Sequence, residues 1–376
     1  MRKVIYLFII WRIALFAVAA ISPLAIPQFG ARFPYFQERL ITSGFPHFIW
    51  SFGNFDGVHY LGIAKDGYAY QFTQVFFPLY PVLIRLASYI TLGNFLLSGL
   101  LISNAAFLFG LIIFFKFVRE IYSQKIALWS CLFLLTFPTS YYFGAIYTEG
   151  LFFLLVISAF YLFYKKRILL ASIIGSFASL ARLTGLFLAP SLALKRDFKS
   201  LIPILIIPVG FLIYVLYLKI EFNNPLYFLS AQSIFGQERL TNGVVLLPQV
   251  FWRYLKILAT THGLIFANAA FELLSTVFAL TLLLIAYKQS FSTNKRSFSS
   301  NKKIKIEWLV FSLIAILVPT LTGTLASMPR YILVAFPIYI ILAQLKNLKI
   351  KVLILTVSTI LLFVATTLFA QGYWVA

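Results

Sequence analysis

The sequence predicts an all-α polytopic membrane helical bundle of about eleven spans, within a range of roughly 10–13. Three observations lead there. Of the 376 residues, 61% are hydrophobic and only 11% are charged, against about 45–50% and 25% in soluble domains. The apolar residues fall in runs near the ~20 needed to cross the hydrocarbon core at ~1.5 Å per residue. Lys and Arg gather in short knots between those runs: Arg2-Lys3, Lys116/Arg119/Lys125, Lys165-Lys166-Arg167, Lys195-Arg196/Lys199, residues 288–305, and Lys346/Lys349/Lys351. A soluble chain of this length has no single core able to hide so much apolar surface.

The net charge of +21 raises the question of nucleic acid. The knots instead follow the positive-inside pattern and face the anionic inner leaflet. Membrane lipids are therefore expected partners and nucleic acid is not. The one cysteine, Cys131, lies in an apolar run and cannot form an intramolecular disulfide. Met1-Arg2-Lys3 followed by an apolar run looks like a signal peptide, but no small-residue cleavage site follows, so it reads as an uncleaved first span.

With the knots placed inside, the elements order themselves. Span one covers residues 4–21 and runs outward. Residues 22–90 form a long extracytoplasmic loop rich in Pro, Gly and aromatics, which is where function is expected. Its end, residues 75–89, carries Pro78, Pro81 and Arg85 and reads as a helix lying at the membrane surface. Spans follow at 96–118, 126–143, 149–164, 168–180, 185–194 and 201–218. A second polar loop, 221–242, precedes spans at 264–287, 308–325, 331–345 and 352–369. Residues 244–260 read as a further span or an interfacial helix, and 288–305 as a cytoplasmic linker. The chain forms one membrane domain over residues 1–376, with its N-terminus cytoplasmic. Glu38, Asp56, Asp66, Glu149, Glu221 and Glu238 fall at or beyond the outer face. Glu120, Asp197 and Glu307 lie inside, and Glu272 within a span. Acids do not set topology strongly, so their gathering outside suggests a site there. No internal repeat of the transporter kind is visible.

Five segments carry candidate chemistry. In Gly53-Asn-Phe-Asp56-Gly-Val-His59-Tyr60, followed by Lys65-Asp66-Gly67-Tyr68, Asp56 opens a helix at or near its N-cap. His59 and Tyr60 then share its side, and Gly67 stops the helix. Asp56 is either a plain capping residue or a functional acid beside the membrane. Phe76-Phe-Pro-Leu-Tyr80-Pro81 with Arg85 is either an aromatic anchor with a Pro-started helix or a wall whose Arg85 faces a phosphate. Glu149, after Tyr147-Thr148, is a first-turn carboxylate, or a ligand for a substrate hydroxyl or a cation. Arg182, between two short apolar runs, needs an anion or an acid such as Glu149. Arg330, in Ser327-Met-Pro-Arg330-Tyr331, sits at an outer span boundary against the charge bias, and its fork suits a phosphate. His47, His59 and His262 are too scattered for a metal site, and no nucleotide motif occurs. No cofactor is expected, and dependence on a divalent metal is left open. Without a nucleotide site, a sugar donor has to be lipid-borne.

These segments, in this order, resemble the PIG-V-type mannosyltransferases (similar to GPI mannosyltransferase 2), multi-span glycosyltransferases of the GT-C class. The matching residues are Phe55-Asp56-Gly57, Tyr60, Gly67-Tyr68, Phe76 to Pro81, Tyr147-Thr-Glu149, Arg182-Leu-Thr-Gly185, Ser327 to Tyr331 and the tail Gly372-Tyr-Trp-Val-Ala376. The family usually has Trp where Phe55 stands and often Pro where Leu183 stands. The resemblance implies transfer of a hexose, usually mannose, from a polyprenyl-phosphate-linked donor to a lipid or glycan hydroxyl on the extracytoplasmic face. In eukaryotes the acceptor is a GPI-anchor precursor. If the chain is bacterial, the membrane is the plasma (inner) membrane. Asp56 is then expected as the general base of an inverting transfer. His59, Tyr60, Lys65, Asp66, Tyr80, Arg85, Glu149, Arg182, Arg330 and Tyr331 are the expected substrate-binding residues. A lipid-linked sugar flippase and a non-catalytic glycolipid-binding subunit are the rivals. Catalysis requires Asp56, Glu149, Arg182 and Arg330 to converge on one cavity.

Overall fold

The computed structural model describes all residues except 32, 195–197, 236–238, 241–242, 292–302 and 376. Asp197, Glu238, the Lys195-Arg196 pair, Ala376 and most of the expected linker lie outside the described residues. Among the described residues the structure is helical, with no strand.

Helix α1 (Arg2–Ala25) buries Val4, Phe8, Trp11, Leu15 and Ala19, a stripe spaced by three and four residues. Its other face exposes Tyr6, Ile9, Ile10, Ile13 and Ile21. A helix apolar all round with one packed stripe is built for lipid on its open face. The long loop holds α2 (Asp56–Asp66), stopped by Gly67 at φ 72°, and α3 (Leu79–Ser88), which buries Tyr80, Pro81, Ile84 and Ser88. Helix α4 (Phe95–Ile121), capped where Asn94 accepts from the Leu97 N–H, runs ~40 Å at ~1.5 Å per residue.

Helix α5 (Gln124–Leu135) departs from the expected span at 126–143. It stops after 12 residues, about 18 Å, and a 3₁₀ turn follows at Ser140–Phe143. Pro138 follows this stop, and no ordinary helix continues there. The irregular backbone is buried in protein and tied by side chains. Trp11 Nε1 donates to Ser140 Oγ at 3.2 Å, and Thr139 Oγ1 donates to the Pro329 carbonyl at 2.8 Å. Non-helical backbone at membrane depth is tolerated under just such protein cover.

Helix α6 (Glu149–Tyr164) lies against α4 and against α7 (Ile168–Ala181). At Arg182 the chain turns into a 3₁₀ helix and α8 (Leu188–Ala193). This turn needs Gly185, because a Cβ there would lie 2.3 Å from the Ala178 carbonyl carbon. Next come α9 (Ile207–Phe222), α10 (Tyr227–Phe235), α11 (Leu247–Thr260) and α12 (Gly263–Phe291). Helix α12 takes in 288–291, the first residues of the expected linker. After α13 (Ile306–Thr320), the spans expected at 308–325 and 331–345 are also revised. A loop at 321–327 leads to the one-turn α14 (Met328–Tyr331), a 3₁₀ turn and the wholly buried α15 (Pro337–Gln344). Pro329 and Pro337 start new turns here, and eight residues cannot cross a bilayer. Helix α16 (Leu348–Ala370) closes the bundle against α1.

Five helices among the described residues are long and apolar enough to cross a membrane, and shorter apolar helices accompany them. The chain is thus a multi-pass helical membrane protein. Its two ends differ in charge. At one end Lys165 pairs with Glu120 at 2.6 Å, and Lys305 lies 4.8 Å from the Tyr164 ring. At the other stand Asp56, Glu149 and Arg330.

Candidate active site

The site begins with a strained turn. Phe55, just before α2, has φ 58° and ψ −115°, a conformation an aromatic residue adopts only when its surroundings force it. Its ring packs on Phe33, Trp374 and Phe369 at centroid distances of 4.9, 5.1 and 5.8 Å. Asn54 Nδ2 donates to the Phe369 carbonyl at 2.8 Å. The Tyr147 hydroxyl donates to the Asn54 carbonyl at 2.9 Å and accepts from the Asp56 N–H at 3.2 Å. Asp56 therefore opens α2 as its first residue without capping it. Its Oδ2 is held by Arg330 Nη1 at 2.7 Å instead. The plain capping role is replaced by a long-range ion pair.

Arg330 reaches a second carboxylate. Its Nε lies 3.2 Å from Glu149 Oε1, which also takes Arg182 Nη1 at 2.7 Å. The Nε contact is an ion pair by distance but lacks hydrogen-bond alignment, and Glu149 Oε2 has no hydrogen-bond partner. Charges thus alternate as Asp56, Arg330, Glu149, Arg182. Side-chain exposure falls from 22% at Asp56 to 3% at Glu149, so Asp56 is the more accessible of the two acids. Tyr142 and Tyr147 face the Arg330 guanidinium at 5.5 and 5.4 Å. Tyr331 sits among Arg182, Arg239 and Arg330, at 5.4, 5.6 and 5.9 Å. Burial alone would raise its phenol, yet these three guanidiniums hold it below its ordinary value. The local potential is therefore positive.

These groups line a cavity of about 320 Å³. Asp56, Tyr60, Glu149, Arg182, Arg239, Arg330 and Tyr331 are among its polar lining. Phe76, Phe77, Leu183, Phe187, Phe228 and Leu229 are its apolar lining, with the Phe77 and Phe228 rings in contact at 5.7 Å. Burial first, then the Asp56 charge, pushes the Tyr60 phenol well up, so it stays neutral.

Other expected residues stand elsewhere. His59 stacks on Phe76 at 5.2 Å with an interplanar angle of 16°, and burial pushes its imidazole down to about 4. Lys65 is exposed at the end of α2, and Asp66 pairs with Arg39 at 3.6 Å. Tyr80 is buried and ties α3 to α4 through the Gly99 carbonyl at 3.1 Å and Ser103 Oγ at 2.6 Å. Arg85 is exposed on α3, away from the cavity. Among the described residues, no group of three His, Cys or acidic side chains could hold a metal. Sequence reasoning missed Arg239 and Phe228. Neither stands in a motif, and only the general charge bias marks an arginine in an outer loop.

The family model for mannosyltransferase (PIG-V) matches residues 1–192, just over half of the chain. The chain belongs to the PIG-V mannosyltransferase family. GPI mannosyltransferase 2 from Cryptococcus neoformans var. neoformans serotype D is 29% identical over 174 residues, covering 43% of this chain and 39% of that protein. The protein of that name from Drosophila pseudoobscura pseudoobscura is 29% identical over 138 residues, covering 34% and 29%. The match thus spans about two fifths or less of these relatives' length. Archaeoglobus fulgidus oligosaccharyltransferase, solved with zinc and sulfate, aligns over 97% of this chain and 53% of its own, with 13% identity and a TM-score of 0.48. In this PIG-V family member the matched half supplies Asp56, Glu149 and Arg182. Arg239 and Arg330 come from the remainder.

Proposed function

We propose that this chain transfers a mannosyl residue from a polyprenyl-phosphate-linked donor to a hydroxyl of a lipid or glycan acceptor at the extracytoplasmic end of the bundle. The observation that carries this is the partly exposed Asp56 carboxylate, held by Arg330, in a cavity lined both by charged groups and by aromatic and aliphatic side chains. The family supports mannose, and the names of its relatives support a glycolipid acceptor. The basic knots at the opposite end support the sidedness.

Asp56 takes the proton of the acceptor hydroxyl as its oxygen attacks the anomeric carbon. The bond from that carbon to the phosphate oxygen breaks, and polyprenyl phosphate leaves with the electron pair. One base and one displacement give inversion. Glu149, nearly sealed between Arg330 and Arg182, orients the arginines rather than reacting. Tyr60 presents a neutral hydroxyl for the sugar or the acceptor. The Phe76–Phe228 side suits the isoprenoid chain.

The test is transfer of labelled mannose from polyprenyl-phosphate mannose by the purified protein. Asp56→Asn should lower turnover by roughly 10²-fold or more. Near wild-type turnover in a folded Asp56→Asn protein would overturn the base assignment. Reconstituted transport of the lipid-linked sugar without transfer would favour a flippase, which the clustering of charge at one end does not suggest.

A further inference from the structure

The cavity holds three guanidiniums and two carboxylates. Arg330 and Arg182 are both taken up by Asp56 and Glu149. Arg239 is different. Among the described residues no carboxylate oxygen lies within 4.0 Å of it; its Nη2 donates to the neutral Ala326 carbonyl at 3.0 Å, and its guanidinium also hydrogen-bonds the Tyr331 hydroxyl. Glu272 feels its charge through space, but that carboxylate is engaged by the Tyr254 hydroxyl and the Ser327 backbone N–H. A half-buried guanidinium at a cavity wall, with no carboxylate against it among the described residues, suits an anion from outside the chain.

The placement fits one anion in particular. Arg239 approaches the same Tyr331 ring as Arg182 and Arg330 and lines the same cavity as Asp56, so it borders the candidate reacting end. Phe228 and Leu229 line the same cavity as Arg239. A group that meets both kinds of lining has a charged head and an apolar tail. We propose that Arg239 holds the phosphate of the polyprenyl-linked donor, the leaving group of the transfer, and that Arg330 and Arg182 serve to position the two acids. This rests on the donor class proposed above. It also moves the phosphate contact away from Arg85 and Arg330, where the sequence motifs put it.

Arg239 has a second effect that the test must separate, because it also anchors the 321–327 loop. Arg253 provides the control. Its Nη1 donates to the Gly323 carbonyl of the same loop at 3.2 Å, but it does not line the cavity. The experiment measures binding of polyprenyl phosphate, and of uncharged polyprenol, to the full chain in phosphatidylcholine/phosphatidylglycerol nanodiscs, with thermal unfolding of every variant. The wild type should prefer the phosphate. Arg239→Gln, with Arg239→Met as a second neutral variant, should lose roughly 10- to 100-fold of that preference and bind polyprenol unchanged. Arg239→Lys should recover most of it, and Arg253→Gln should match the wild type.

A wild type that prefers the phosphate, with folded neutral variants that do so equally, overturns the Arg239 assignment and leaves the donor class standing. Equal loss in Arg253→Gln also overturns it, by showing that loop anchoring is responsible. Displacement of polyprenyl phosphate by excess phosphatidylglycerol overturns it in favour of a general bilayer-phosphate site. No phosphate preference in the wild type overturns the donor class itself.

Discussion

Arg330 shows how one side chain organises this site. Its planar fork reaches Asp56 through Nη1 and Glu149 through Nε, which an ammonium could not do in the same geometry. Without it Asp56 would lose its paired cation and buried Glu149 one of its two, at a cost above that of losing a surface pair. His59 makes a different statement at the same scale. Burial, partly offset by Asp56, depresses its imidazole from 6.5 to about 4. The unfolded chain therefore takes up this proton first, and stability falls as pH drops from about 6.5 towards 4. For the full shift this loss is on the order of 3 kcal/mol. Thermal unfolding in detergent at pH 7 and pH 4.5 should show the drop, and His59→Phe should flatten it. An unchanged pH response in His59→Phe would refute the assignment. Because His59 is neutral near pH 7, the same substitution should leave the neutral limb of the activity profile in place.

Short pieces of backbone, rather than the long helices, aim the chemistry. The Phe55 turn sets Asp56, and the 321–327 loop sets Arg330. That loop enters α14 through Ser327, a non-glycine residue at φ 66°. It is held from α11 and α12. The Tyr254 hydroxyl donates to buried Glu272, accepts from the Leu325 N–H at 3.0 Å and meets Thr324 Oγ1 at 3.2 Å. Tyr254→Phe leaves the Leu325 N–H and the Glu272 carboxylate short of a partner, which costs about 1–3 kcal/mol. The expected result is a lower unfolding temperature together with slower mannosyl transfer. A stable variant with full transfer would show that the loop holds its shape without Tyr254.

At the scale of the bundle, Asp56, Glu149 and the candidate site occupy one end, and Lys165 with Glu120 and Lys305 the other. The orientation is testable because the only cysteine, Cys131, is buried. In a Cys131→Ser background, a membrane-impermeant maleimide should label Lys65→Cys in intact cells. It should label Lys166→Cys only after permeabilisation. The reverse pattern would place the site on the cytoplasmic side.

Composition and the knots of Lys and Arg determined the membrane class and the all-helical fold, because a bilayer leaves the backbone few other choices. The order of short motifs determined the family, and it picked out Asp56, Glu149, Arg182 and Arg330. The helix stop at Gly67 was also legible, since a residue with positive φ favours glycine. Where apolar runs break inside protein was not legible. Residues 136–143, 321–325 and 331–336 read as parts of spans, yet they fold as short turns packed in protein, since hydrophobicity alone does not distinguish lipid from a protein neighbour. Which arginine meets which acid was decided only in three dimensions. Asp56 and Arg330 are 274 residues apart, and no local pattern reports such an approach. The same folding carried Arg85 to the surface and brought Arg239 to the cavity with no acid against it among the described residues, because the fate of a charge depends on the partners that packing delivers to it.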